Sequence, residues 1–227
     1  MLAPRSTTEA YAIQQQVFAL AGVTTGGWKA SMPDPHSGFS APIPAQNILR
    51  DGAPLRPSAL ATANNQRIGI ESEIAFTMGK TLTPGRHYSR AEVLDAVASA
   101  HAAIELCVCR LQDFDAAPVL DRLADHIMNE GLVLSAPAYD WLAEALPLAE
   151  LEVRFDGAVA HRGQGGHPLG DPVLPLVWMA NHLSDRGIAL AAGHAITTGS
   201  CNGIHYVPAG TKVEVQFAEL GVARIQL

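Results

Sequence analysis

Glu71 and Glu73 lie in the run Gly69-Ile70-Glu71-Ser72-Glu73-Ile74-Ala75-Phe76, and their types and spacing imply chemistry more directly than any others in this chain. The frame around them is apolar and β-leaning, which predicts a buried strand. Side chains two apart on a strand share a face, so both carboxylates point the same way. Two buried anions repel each other and are costly to desolvate. A hard dication such as Mg²⁺ or Mn²⁺ resolves both problems, because it prefers carboxylate oxygens. On a half-exposed strand the same pair would simply face water, and Ile70, Ile74 and Phe76 fit either reading. Glu105, in Ala103-Ile104-Glu105-Leu106, is a third acid in an apolar, strand-like frame. Alone it would pair with Arg110 or another arginine. With Glu71 and Glu73 it would complete a three-carboxylate cage with positions open to substrate.

Lys29 sits between Trp28 and Ala30. Near a dication and apolar groups its pKa would fall, which suits a general base or an anion clamp, whereas on the surface it would be a solvated lysine. Asp125, in Leu123-Ala124-Asp125-His126, reads as an acid/base group or as a solvated helix residue. Thr197-Thr198-Gly199-Ser200-Cys201-Asn202-Gly203 is a polar turn that could present hydroxyls and N–H groups to an anion, or serve as an ordinary loop. Cys107-Val108-Cys109 lacks C-x-x-C spacing and a second pair, so no soft-metal site is expected there. The histidines show no H-x-x-x-H or H-E-x-x-H spacing, and His36 is notable only for its loop setting. There is no G-x-S-x-G, no P-loop and no G-x-G-x-x-G.

These groups need elements to hold them. Residues 7–21 read as a helix closed by Gly22, and Trp28 to Met32 as a short strand. Pro33 to Pro57 reads as a long lid-like loop. Ser89-Arg90-Ala91-Glu92 is a capping box opening a helix over about 90–101, followed by a strand from Ile104 to Val108. A second helix is expected from Pro118 to Asn129, a strand at Leu132 to Leu134 and a hairpin around Asp156-Gly157. Asp171-Pro172 starts a helix that Gly187 stops. Short strands follow at 195–198, 213–217 and 222–227. The class is α+β with a β-rich core. At 227 residues and 48% hydrophobic content the chain can bury one sizeable core. A net charge of −7 argues against nucleic acid. No apolar run is long enough to span a membrane, and no signal peptide is evident. Three cysteines, an odd number, point to reduced thiols in the cytoplasm.

Several segments together resemble the fumarylacetoacetate hydrolase superfamily, in the branch of 2-keto-4-pentenoate hydratase and 4-oxalocrotonate decarboxylase. They are Gly27-Trp28-Lys29, Gly69 to Phe76, Ala103 to Leu106, Ala124-Asp125, Pro168-Leu169-Gly170-Asp171-Pro172, Trp178 to Leu183, Ala192-Gly193 and Thr197 to Cys201. They follow the family's order from about residue 8 to the end. The resemblance implies a mixed β-roll, fumarylacetoacetase C-terminal-like, with peripheral helices. It implies one catalytic domain over 1–227, with a helix and lid region (1–60) packed on it. Glu71, Glu73 and Glu105 match the metal-binding acids and Lys29 the active-site lysine. Ser200 matches a hydroxyl near the substrate carboxylate, with Arg110 as a further substrate-binding group and Asp125 as a proton-moving one. It further implies Mg²⁺ or Mn²⁺, a small 2-keto acid substrate, and a homo-oligomer or an assembly with a related decarboxylase or hydratase. The activity expected is a hydratase of 2-hydroxydienoic or 2-keto-4-enoic acids. A decarboxylase, an acylpyruvate-type C–C hydrolase and a catalytically silent partner subunit are the alternatives. The family commonly reads Ala-Asp-Asn where this chain has Ala124-Asp125-His126, and Met128 and Glu130 also depart from its pattern.

Overall fold

The computed structural model describes residues 3–53 and 67–227. Helix α1 (Thr7–Ala21) opens on Ser6, whose side chain accepts from Glu9 N, and closes on left-handed Gly22. Strands β1 (Thr25–Asp34) and β2 (Ser37–Pro44) follow, then β3 (Ile48–Arg50). Strand β4 (Ile68–Met78) carries Glu71 and Glu73. Helix α2 (Arg90–Asp95) leads into β5 (Val97–Cys107), and α3 (Val119–Ala124) into β6 (Asn129–Leu134). The hairpin of β7 (Glu150–Phe155) and β8 (Ala158–Gln164) precedes α4 (Val173–Asp185). Strands β9 (Ala195–Val207), β10 (Lys212–Phe217) and β11 (Gly221–Gln226) end the chain.

One sheet runs β2-β1-β9-β4-β5-β6-β3 and a second runs β11-β10-β7-β8. Ile43 of β2 packs with Leu132 and Leu134 of β6, although those strands lie near opposite ends of the first sheet. The sheet is therefore curled into a roll. Strand β4 is buried on both faces. Ile70, Ile74 and Phe76 join the main core with Ile104, Val215 and Phe217, while Ala75 packs inside the roll with Ile43 and Ala103. Burying each large side chain of that core contributes about 1.5–3 kcal/mol. Glu71 and Glu73 share the inner face with Ala75. Helix α4 covers the roll with Val173, Leu176, Met179 and Leu183.

Several expectations match. The capping box forms, with Ser89 Oγ accepting from Glu92 N and Glu92 Oε2 accepting from Ser89 N. Asp156 and Gly157 turn the hairpin at φ 50° and 82°. Three expectations are corrected. Residues 33–50 are not a loop: Asp34 Oδ1 accepts from His36 N and Ser37 N, and this turn joins β1 to β2. Pro42 and Pro44 are tolerated because β2 is an edge strand. Residues 54–57 of the expected loop lie outside the described residues. The helix at 90 stops at Asp95, because sheet pairing over Ala98 to Ala103 overrides alanine's helix preference. The helix from 118 breaks after Ala124, where His126, Ile127 and Met128 take φ values of 58°, 53° and 64°.

Candidate active site

In the β4–β5 ladder Glu71 stands directly opposite Glu105, and Glu73 opposite Ala103. Antiparallel register thus turns two strand-borne acids, far apart in sequence, into neighbours. On the other edge of β4, Ser200 of β9 is the register partner of Glu73. Strand β1 pairs with β9 at Lys29–Thr197, which brings the lysine over the same face.

Lys29 Nζ lies 2.8 Å from Glu105 Oε1 and 3.6 Å from Glu71 Oε2, and donates to the Ile127 carbonyl at 3.1 Å. Asn129 Nδ2 also donates to Glu105 Oε1, at 2.9 Å. Glu73 is held differently: its Oε2 accepts from the backbone N–H groups of Thr198 and Gly199 at 2.9 and 2.8 Å. Side-chain exposure is 0% for Glu105, and Lys29 is 6% exposed as a residue. Burial works against the Lys29 ammonium, yet the charges of Glu105, Cys107 and Glu71 outweigh it and hold the lysine well above its ordinary value. The sequence expectation of a lowered Lys29 pKa supposes a bound dication beside it; with protein groups alone, the neighbouring anions favour the ammonium. Burial, then the charges of Glu105 and Glu71, push Glu73 well up. Burial raises Glu105 too, against the pull of Lys29.

Above these groups lies a cavity of about 370 Å³, with Lys29, Glu71, Glu73, Met128, His167 and Ser200 in its wall. That volume suits a small acid rather than a polymer. Ser200 is present as expected, its hydroxyl donating to the Gly203 carbonyl at 2.8 Å. His167 was not anticipated. Its Nε2 donates to the Thr198 carbonyl and its Nδ1 accepts from Leu169 N, so it fixes the turn that holds Glu73.

Arg110 and Asp125 lie elsewhere than expected. Neither is in the cavity wall among the described residues. Arg110 Nε donates to Asp125 Oδ1 at 2.8 Å and Nη1 to Glu130 Oε2 at 3.0 Å. Its Nη2 donates to the carbonyls of Asp125 and Asn129, at 2.8 and 3.0 Å. The guanidinium therefore clamps both ends of the left-handed turn 126–128. Such conformations cost on the order of 1–3 kcal/mol per residue, most for β-branched Ile127. The turn delivers the Ile127 carbonyl to Lys29. With its donors used in this way, Arg110 is a positioning group and Asp125 its partner.

Among the described residues, the ligand-capable atoms that come within 4.8 Å of one another are those of Glu71, Glu105 and Cys107. The expected trio had Glu73 in place of the cysteine; Glu73 shares the face but turns toward the β9 backbone. The signal for Cys107 lies in its spacing from Glu105, two residues before it on the same strand face, and not in its spacing from Cys109. The donor set fits a divalent cation, since Glu105 Oε2 is buried without a hydrogen-bond partner among the described residues.

No protein-family model matches the chain. It is 31% identical over 179 residues to a 2-keto-4-pentenoate hydratase of Burkholderia vietnamiensis, covering 77% of this chain and 64% of that protein. It is 28% identical over 156 residues to a 2-hydroxyhexa-2,4-dienoate hydratase of Comamonas testosteroni, covering 69% and 58%. The solved structure of 4-oxalocrotonate decarboxylase from Pseudomonas putida, complexed with magnesium and adipate, superposes with a TM-score of 0.79 at 20% identity, over 97% of this chain and 86% of that one. The sequence likeness is to 2-keto-4-pentenoate and 2-hydroxyhexa-2,4-dienoate hydratases. The decarboxylase match shows the fold, a curled mixed sheet with few helices. The chain spans less than two thirds of the length of the curated hydratases it matches.

Proposed function

We propose that this chain is a metal-dependent lyase, a hydratase of small 2-hydroxydienoic or 2-keto-4-enoic acids. The observation that carries the reading is the Glu71–Glu105 register pair, with Lys29 bridging it, at a small cavity. Similarity to two hydratases supports the reaction class. Glu71 and Glu105, with Glu73 on the same face, would hold Mg²⁺ or Mn²⁺; the neighbouring decarboxylase was solved with magnesium. A bound dication would supply a positive centre for the substrate's carboxylate and 2-oxo oxygens and stabilise the enolate that develops there.

The chain's own groups do the rest. Lys29, in the cavity wall and 2.8 Å from Glu105, serves as the proton-moving group or as an anion clamp. Ser200, in the cavity wall beside Glu73, would offer its hydroxyl to the substrate carboxylate on turning away from the Gly203 carbonyl. Arg110 and Asp125 hold the 126–128 turn, and through the Ile127 carbonyl they fix Lys29. Met128 adds an apolar side chain to the cavity wall. A second reading, loss of CO₂ from a 2-oxo acid, is favoured by the decarboxylase fold match, because both reactions use the same enolate. A His–Glu water-activating dyad lacks support, since His36 is exposed at the β1–β2 turn.

No helix among the described residues is long and apolar enough to cross a membrane. The free cysteines support a cytoplasmic setting. Exposed Tyr139, Leu142 and Leu148 support self-association of one catalytic unit. The test is ultraviolet absorbance of a 2-hydroxydienoate mixed with protein and Mg²⁺. Consumption that stops on chelation is the expected result. Mg²⁺ binding with no 2-keto acid or dienoate consumed would instead make the chain a silent partner subunit.

A further inference from the structure

We infer that Cys107 Sγ is itself a donor at the divalent-ion site, beside Glu71 and Glu105, and that it tilts the site from Mg²⁺ toward Zn²⁺, Fe²⁺ and Co²⁺. The inference rests on the metal reading above. Strand alternation puts Cys107 on the face of Glu105, two residues earlier on β5. Cys107 is 1% exposed, in the cavity wall, with Sγ 3.4 Å from Glu71 Oε2. A thiol in an apolar wall would need no explanation. The independent observation is Glu105, a fully buried acid whose Oε2 has no partner among the described residues, in a cluster whose donor atoms lie within 4.8 Å. A bare buried carboxylate oxygen is expensive, and a cation bound by this cluster would satisfy it.

The chemistry balances without oxidation. The bond from the ion to Sγ forms as the S–H bond breaks, and the proton leaves to solvent. Oxygen-only cages suit Mg²⁺; one thiolate among carboxylates softens the donor set and favours later first-row ions. Cys109 is otherwise engaged, donating to the Leu111 carbonyl at 3.1 Å, and Cys201 lies on β9.

The full chain should be titrated with Co²⁺ while its electronic spectrum is recorded and uptake is followed by calorimetry. A sulfur-to-cobalt charge-transfer band should grow with uptake. It should persist in Cys109→Ser and Cys201→Ser and vanish in Cys107→Ser. Cys107→Ser should still take up Mg²⁺, while its preference for Zn²⁺ over Mg²⁺ falls roughly tenfold or more. Co²⁺ uptake by the unmodified chain with no such band overturns the inference and leaves the carboxylate site standing. A band that survives Cys107→Ser also overturns it. Uptake of neither Co²⁺ nor Mg²⁺ defeats the metal reading itself. Where Cys107→Ser folds poorly, the Cys109→Ser, Cys201→Ser double variant decides: a band retained there assigns the sulfur to Cys107, and a band lost there overturns the inference.

Discussion

Lys29 Nζ and Glu105 Oε1 form a 2.8 Å ion pair between two side chains almost wholly removed from solvent. Neither charge is tolerable alone at that depth. Their strands do not pair with each other: β1 reaches β5 only across β9 and β4. Curling of the sheet makes the contact, so the pair reports whether the roll has closed.

Lys29→Met removes the cation and strands the Glu105 carboxylate. Breaking a buried pair on one side costs about 3–5 kcal/mol, so the variant should unfold at a clearly lower denaturant concentration. Saturating divalent cation should restore part of that loss, because it replaces the missing charge. Turnover should remain absent, since no proton is held at that position. Near-normal activity would remove Lys29 from the mechanism.

Arg110→Lys keeps a charge but cannot reach two carbonyls and two carboxylates at once. A loss of about 2–3 kcal/mol in chemical denaturation is expected, from the released turn and the bonds left unmade. Divalent-ion affinity should change little, whereas kcat should fall more than KM rises. A rise in KM alone would argue that Arg110 touches substrate after all.

Gly27→Ala tests how Lys29 is placed. A Cβ at residue 27 would lie 2.2 Å from the Ala195 carbonyl oxygen, in the β1–β9 pairing that carries Lys29 two residues later. A cost of about 1–3 kcal/mol and reduced turnover are expected. At Gly22 the space is open, and Gly22→Ala should cost only about 1 kcal/mol, for its φ of 64°, with activity kept. Equal effects at the two positions would contradict this account.

Acid should destabilise the fold through two half-buried histidines, His126 and His182. Burial, then Arg110 for His126 and Arg186 for His182, pushes each from 6.5 to about 4. A histidine depressed in the folded state contributes stability that is present above pH 6.5 and lost as pH falls toward about 4, because the unfolded chain binds the proton first. Each is worth on the order of 1–3 kcal/mol by the bottom of that window. Thermal unfolding across it should show a falling Tm, and His182→Gln, which keeps a partner for Ser40, should flatten the fall. An unchanged slope would show that His182 contributes nothing to it.

The two strand acids were legible in the sequence because alternation is a local rule, and so were the capping box at Ser89 and the Asp156-Gly157 hairpin. The long β5 was obscured by Ala98 to Ala103, whose local preference is helical and whose strand state comes from its neighbours. His126 is only a weak signal for a left-handed turn, and Ile127 and Met128 argue against one, Ile127 most because it is β-branched. The turn exists because Arg110 clamps its ends. The same gap misplaced Arg110 and Asp125, as side-chain direction beyond a strand end is set by tertiary contacts. Cys107 was within reach of the rule that found Glu73, applied to Glu105 instead.

The central claim is that Glu71 and Glu105, paired across β4 and β5, grip one divalent ion. Calorimetric titration of Mg²⁺ and Mn²⁺ into the unmodified chain and into Glu105→Gln addresses it directly. The account predicts one saturable site in the former and at least roughly tenfold weaker binding in the latter. Equal binding by both proteins, or no binding by the unmodified chain, would contradict it.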